Sequence, residues 1–249
     1  MKKYILSLLV IFAIVTVCSA QNNPEIKVAD DISLYRLTDK TYIHVTAFQT
    51  QNWGRVYANG ILLIDNGEAF ILDTPWDNEQ TEELYSWLAD SMGVKVTTVI
   101  PNHWHEDCMG GLEFLHSKGV HSVANQMTID IARKNGLPVP QQGFNDSFTL
   151  NLHGIEVICY YPGGGHATDN IVVYIPSEKL LFPGCFSKDM KATNLGNVAD
   201  GDVNTWGEAI DRVMEKFPDA EIVVPGHGKA GGRELLRHTK ELLEKNKEK

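Results

Sequence analysis

Seven consecutive residues, Asn102-His103-Trp104-His105-Glu106-Asp107-Cys108, concentrate groups able to ligate a metal. His103 and His105 are two apart, so on an extended segment both rings point to one side, and Asp107 continues the spacing. Two imidazoles and a carboxylate at that interval suit a borderline ion such as zinc. Three further candidates stand apart in sequence. His166 lies in Gly163-Gly164-Gly165-His166, Cys185 in Pro183-Gly184-Cys185, and His227 in Pro225-Gly226-His227-Gly228. Each follows an apolar run that reads as a strand, and each is flanked by glycine, which lets the backbone approach closely and take unusual dihedrals. Four strand-end loops meeting at one place is how rigid scaffolds carry reactive groups.

Other chemical motifs are weak or missing. His105-Glu106 is not followed by the second histidine of the zincin pattern, and there is no Ser-x-x-Lys or Gly-x-Ser-x-Gly, the usual signs of serine acyl transfer. Gly226-His227-Gly228-Lys229-Ala230-Gly231 fits the dinucleotide glycine rule. No βαβ unit with an acidic partner follows it, so its glycines are read as serving His227. His44, His116, His121, His153 and His238 lack such contexts and are expected to be structural or solvated. Cys159 sits in a strand and reads as a small buried hydrophobe. Cys108 is expected to pack beside the metal site, and Trp104 to support the ligand loop.

The elements that must position these groups follow from periodicity and turn chemistry. Strands are expected at Ile32–Leu37, Thr41–Phe48, Ile61–Ile64, Ala69–Asp73 and Lys95–Ile100, with Asp65-Asn66-Gly67 as a hairpin turn. The second half adds Ser147–Leu152, Ile155–Tyr161, Asn170–Ile175, Lys179–Phe182 and Glu221–Pro225, with a turn at His153-Gly154. Helices are expected over Asn78–Met92, Gly110–Lys118, Asn125–Asn135 (capped by Asn125), Thr205–Lys216 and Gly232–Lys245. Strands followed by helices in each half, without strict βαβ alternation, predict two mixed sheets face to face with helices outside: a four-layer α/β/β/α sandwich.

The chain has 249 residues and a net charge of −10, from 22 Lys and Arg against 32 Asp and Glu. An acidic chain without a basic stripe is a poor nucleic-acid binder. Lys2 and Lys3 precede an uncharged run from Tyr4 to Ala20, which reads as a secretory signal peptide cleaved after Ala20, with lipidation at Cys18 as the alternative. The expected organisation is a leader over 1–20 and one domain over 21–249, exported to the periplasm, with no membrane segment in the mature chain and a monomeric state. Cleavage would leave Cys108, Cys159 and Cys185, an odd number that excludes a complete disulfide framework.

With these segments in view, the chain resembles the metallo-β-lactamase superfamily over essentially its whole mature length. Within it, the chain resembles the di-zinc subclass with a cysteine in the second site, the one including the Bacteroides and Bacillus enzymes. The resemblance rests on His103–Gly111, Gly163–Asn170, Gly184–Asp189, Leu195–Asn197 and Pro225–Gly228. It implies a first zinc on His103, His105 and His166, and a second on Asp107, Cys185 and His227. It further implies hydrolysis of the β-lactam amide in penicillins, cephalosporins and carbapenems, and hence antibiotic resistance, by a metal-bound hydroxide without a covalent intermediate. Asp107 would orient the nucleophile, Lys188 would hold the substrate carboxylate, and Asn197 would assist the lactam carbonyl. Trp53, in the segment Phe48–Tyr57, matches a flap over the cleft. Glu106 departs from the small residue common at its position. An ester, thioester or lactone hydrolase on the same scaffold, or a non-catalytic zinc module, are the competing readings. Relatives acting on thioesters typically carry a histidine after the aspartate and a bridging aspartate, where this chain has Cys108 and Cys185.

Overall fold

Alternation along the strands sorts side chains into three cores, and the cores define the layers. A computed structural model describes residues 24–247. In order, the first sheet contains β1 (Ile26–Ala29), β2 (Ile32–Arg36), β3 (Thr41–Thr50), β4 (Gly54–Asp65) and β5 (Glu68–Leu72). Helix α1 (Asn78–Met92) leads to β6 (Lys95–Ile100), α2 (Glu106–Met109) and α3 (Leu112–Ser117) to β7 (His121–Asn125), and α4 (Gln126–Asn135) to β8 (Gln142–Phe144). These eight strands lie in sequence order, antiparallel from β1 to β5 and parallel from β5 to β8. The second sheet contains β9 (Ser147–Leu152), β10 (Ile155–Tyr160), β11 (Val172–Ile175), β12 (Leu180–Gly184) and β13 (Ile222–Pro225). Its order is β13-β12-β11-β10-β9, with only β12 and β13 parallel. Helices α5 (Trp206–Lys216) and α6 (Glu234–Lys247) flank β13 in sequence.

Ile61 and Leu63 of β4, Phe70 and Leu72 of β5, and Val173 and Ile175 of β11 all turn inward to one cluster between the sheets. Their neighbours Leu62, Ala69 and Ile71 face the opposite way, onto Leu84 and Leu88 of α1 and Leu112 and Leu115 of α3. On the far side, Val172 and Tyr174 meet Trp206, Ile210 and Val213 of α5 and Leu235 and Leu242 of α6. Both sheets are therefore apolar on both faces, which requires cover on both sides and produces the α/β/β/α order predicted.

The predicted turns form with the required dihedrals. Asn66 and Gly67 have φ of 48° and 78°, and His153 and Gly154 have 50° and 96°, the positive pair that two-residue hairpins demand. Asp77 caps α1 by accepting from the Gln80 N–H at 2.8 Å, and Asn125 caps α4 through the Met127 N–H at 2.9 Å.

Three expectations need correction. The link from β5 to β8 does alternate strand and helix, as three successive βαβ crossovers; β7 and β8 are too short and too mixed in polarity to show a period. The helix expected over Gly110–Lys118 is two pieces, α2 and α3, and α2 begins inside the metal motif. The strand expected at Ile61–Ile64 starts at Gly54, because β3 and β4 pair all the way from Thr41↔Leu63 to Thr50↔Gly54. Since β2 covers β3 only as far as Thr46 and β5 covers β4 only from Ile61, the far end of this hairpin is a two-stranded arm. The proposed leader lies outside the described residues. Among those described, no helix is long and apolar enough to cross a membrane.

Candidate metal centre and active site

All four ligand loops leave the carboxyl ends of strands. The segment after β6 carries His103, His105 and Asp107, that after β10 carries His166, β12 delivers Cys185 and β13 delivers His227. Because β12 and β13 run parallel with Gly184 opposite Pro225, Cys185 and His227 emerge side by side. The two sheets are sewn together at this edge. Asn102 accepts at its carbonyl from Ile171 N–H at 2.9 Å and donates from Nδ2 to the Ile171 carbonyl at 2.6 Å. Asn59 of β4 donates from its backbone to the Gly226 carbonyl at 2.8 Å, and from Nδ2 to the Pro225 and Gly228 carbonyls at 2.8 and 2.9 Å.

Two clusters result. In the first, His105 Nδ1 lies 2.8 Å from His103 Nε2 and 3.3 Å from His166 Nε2. In the second, Cys185 Sγ lies 3.4 Å from Asp107 Oδ2 and 3.3 Å from His227 Nε2, and His227 Nε2 lies 3.2 Å from Asp107 Oδ2. The segment from Asn102 to His105 is bent rather than extended, and Asp107 is reached by the first turn of α2. The simple alternation expected of His103, His105 and Asp107 is therefore replaced by a bend and a helical turn, which send the two histidines and the carboxylate to different clusters.

Electrostatics fit both clusters to a cation. Burial and the neighbouring His105 push His103 down to about 3, and burial pushes His166 well below the usual histidine value, so both rings keep free lone pairs. His166 Nδ1 has no protein partner. Burial would raise Asp107, but the His227 hydrogen bond and the surrounding imidazoles hold its carboxyl well below the usual range. The Cys108 thiol and the His227 ring hold Cys185 down to about 6 against burial. Burial would lower His227, but Cys185 and Asp107 outweigh it and raise it well above the usual histidine value. The second trio thus calls for positive charge at its centre; a proton on His227 meets that need only partly, and a divalent ion meets it better.

Outer contacts orient the ligands. His227 Nδ1 faces the Tyr57 carbonyl at 2.8 Å, His105 Nε2 faces Asp200 Oδ2 at 3.0 Å, and Cys108 Sγ lies 3.1 Å from His103 Nδ1. Gly226 is required beneath them, since a Cβ there would run into Cys185 Sγ and the Cys185 backbone. Asp73, at φ 60°, accepts from the Asn102 N–H at 2.5 Å and so anchors the start of the ligand segment from below. Burial drives the Asp73 carboxyl well above its usual range.

The clusters floor a cleft of about 490 Å³. Lys188 lines it, partly buried, with Nζ 5.6 Å from the Trp206 ring centre; burial lowers its pKa. Asn197 lines the rim, and its Oδ1 accepts from the Ala199 N–H at 3.1 Å, leaving Nδ2 available. Trp53 sits at the tip of the two-stranded arm and is 65% exposed, which suits a cover and not a packed hairpin. Trp104 packs edge-on against His105, as expected of a support, and also lines the cleft. The other five histidines lie away from these clusters; His44 is buried beneath Gly60 and His238 bonds the Ala192 carbonyl. Cys108, Cys159 and Cys185 are all free and buried.

Several contributors escaped sequence reasoning. Trp76 lines the cleft and stacks on Phe48 with ring centres 5.4 Å apart. Asp200 and the Tyr57 carbonyl orient ligands through long-range contacts that carry no local pattern. Asp73 did offer a signal: an acid ending the apolar run Ala69–Leu72.

A bilayered αββα scaffold with His, Asp and Cys side chains that could hold metal clustered at its strand ends is the architecture of the metallo-β-lactamase class of hydrolases. The profile of the Metallo-beta-lactamase superfamily matches residues 53–227, and the chain belongs to this family. It is 54% identical over 218 residues to the metallo-beta-lactamase type 2 of Bacteroides fragilis, covering 88% of each chain. It is 35% identical over 212 residues to the Bacillus cereus type 2 enzyme, covering 85% of this chain and 82% of that one. A metallo-beta-lactamase structure from Pontibacter korlensis superposes with a TM-score of 0.82 at 38% identity, covering 86% of this chain and 99% of that one.

Proposed function

We propose that this protein is a zinc-dependent β-lactamase that opens the lactam ring by direct attack of water, using two zinc ions per chain. The observation that carries this reading is the pairing of a three-histidine cluster with an Asp-Cys-His cluster on the floor of a cleft that also presents Lys188. When bound at His103, His105 and His166 and at Asp107, Cys185 and His227, zinc supplies Lewis acidity and lowers the pKa of a coordinated water to about 7.

The residues of the chain do the rest. The Lys188 ammonium pairs with the substrate carboxylate and fixes the lactam over the ligand clusters. The Asn197 side-chain N–H donates to the lactam carbonyl oxygen, where negative charge develops as water adds to the carbon. Asp107 accepts a hydrogen bond from the attacking water and sets its line of approach. The carbon–nitrogen bond then breaks; the proton given up by the attacking water passes to solvent, and the leaving ring nitrogen takes one from solvent, giving a carboxylate and an amine. Among the described residues lining the cleft, the one hydroxyl, Thr50, donates to the Gly54 carbonyl, and the Cys185 thiol lies against Asp107 and His227, so water is the nucleophile in this reading. Trp53 on the arm covers the apolar face of the substrate and excludes bulk water.

We further propose that residues 1–20 are a cleaved leader delivering a monomeric enzyme to the periplasm. The paired Lys2 and Lys3 and the uncharged run to Ala20 support this. N-terminal sequencing of the cell-purified protein should begin at Gln21; a lipidated Cys18 would replace this reading. The catalytic reading is tested by mixing the purified protein with a penicillin, a cephalosporin and a carbapenem and following ring absorbance. Loss of absorbance that a chelator abolishes is expected; intact rings with zinc-loaded protein would overturn it.

A further inference from the structure

Glu106 stands between two metal ligands, His105 and Asp107, is exposed, and lines the cleft. Its side chain makes no hydrogen bond or ion pair with any described residue. The other two carboxylates lining the cleft are engaged: Asp107 with Cys185 and His227, and Asp200 with His105 Nε2 at 3.0 Å. The α2 helix it opens has only 4 residues, too short to account for an acid there by its dipole. Lys188 is the one Lys or Arg lining the cleft among the described residues. Its one Lys or Arg therefore stands on the wall built by the second sheet, and an unengaged anion stands on the wall built by the first.

This arrangement discriminates. A substrate whose carboxylate is held by Lys188 extends across the ligand clusters toward the first-sheet wall, so its acyl side chain meets Glu106. A cationic side chain gains a partner there. A second carboxylate placed there has no Lys or Arg of the described lining beside it and faces a like charge. We propose that Glu106 is a specificity-determining residue, favouring β-lactams with a protonated amine on the acyl side chain over those with a second carboxylate. This rests on the β-lactamase reading above.

The test uses three penicillins that differ only at the side-chain carbon next to the exocyclic carbonyl, bearing an ammonium, a hydrogen or a carboxylate. kcat and KM are measured for the zinc-loaded full chain, for Glu106→Gln and for Glu106→Asp. Comparing substrates within each variant cancels differences in folding and metal loading. The ammonium-to-carboxylate ratio of kcat/KM is expected to fall about three- to tenfold in Glu106→Gln, mostly through KM, and to be largely kept in Glu106→Asp. The wild-type preference should also shrink near 1 M salt, where the screening length falls to about 3 Å. An unchanged ratio in Glu106→Gln, with hydrolysis persisting, overturns the proposal alone. Failure of the wild-type protein to hydrolyse all three overturns the β-lactamase reading and the proposal with it.

Discussion

Cys185 illustrates how one residue's environment selects its chemistry. It is fully buried, free of any disulfide, and held down to about 6 by Cys108 and His227, so it is supplied as a thiolate where a soft ligand is wanted. Replacing it with serine removes that thiolate while leaving the three-histidine cluster intact. Cys185→Ser is expected to reduce bound zinc from two ions to one per chain after dialysis, with kcat/KM falling by about two orders of magnitude. Elemental analysis alongside kinetics checks both numbers. Lys188 acts differently, on the substrate alone. Lys188→Ala should raise KM for penicillins about tenfold or more with zinc content unchanged, and Lys188→Arg should recover part of the loss. At this scale the sequence was legible in that the six candidate ligands it pointed to are the residues brought together in the two clusters: three are packed into one short segment, and three stand beside glycines at strand ends. Asp200 was not, since it acts on His105, far from it in sequence; Asp73 carried a local signal, an acid ending an apolar run, but its partner Asn102 lies 29 residues on.

Strands, turns and glycines convert those residues into a site. The parallel pair β12 and β13 sets Cys185 beside His227, and Gly226 leaves the room between them. Gly226→Ala should displace Cys185 and abolish cobalt-to-thiolate charge-transfer absorbance in the cobalt-substituted protein, while circular dichroism retains the fold. Asn59 ties β4 to the His227 loop through three hydrogen bonds. The two-residue turns and most of the strands that build the sheets were readable from the sequence; β1, β7 and β8, all short, were not. The full length of β4 was not, because Gly54–Asn59 mixes glycine, polar and apolar residues without a strict period, and its pairing with β3 is inherited from the hairpin register. The bend through Asn102–His105 and the start of α2 at Glu106 were also hidden, since their geometry follows from anchoring by Asp73 and Ile171.

For the whole molecule, the two sheets share one core, but at the site edge they meet through polar bridges and through ligands contributed by both. A metal held by His103, His105 and His166 therefore staples one sheet to the other. Removing zinc is expected to lower Tm by about 10 °C, measured calorimetrically with and without chelator. Acid should destabilise the metal-free protein as well. Burial lowers His44 to about 4, below its unfolded value near 6.5, so the folded state resists a proton that the unfolded chain accepts. Its contribution is fully present above about pH 6.5 and is lost as pH falls toward about 4. Urea midpoints of the chelated protein should fall across that window, and less steeply in His44→Gln. The central claim is that zinc at these six residues makes the chain a β-lactamase. Titrating zinc into chelated protein while following carbapenem absorbance tests it most directly. Hydrolysis should be absent at the start and rise to a plateau at two zinc ions per chain; an intact carbapenem at full zinc occupancy would contradict the account.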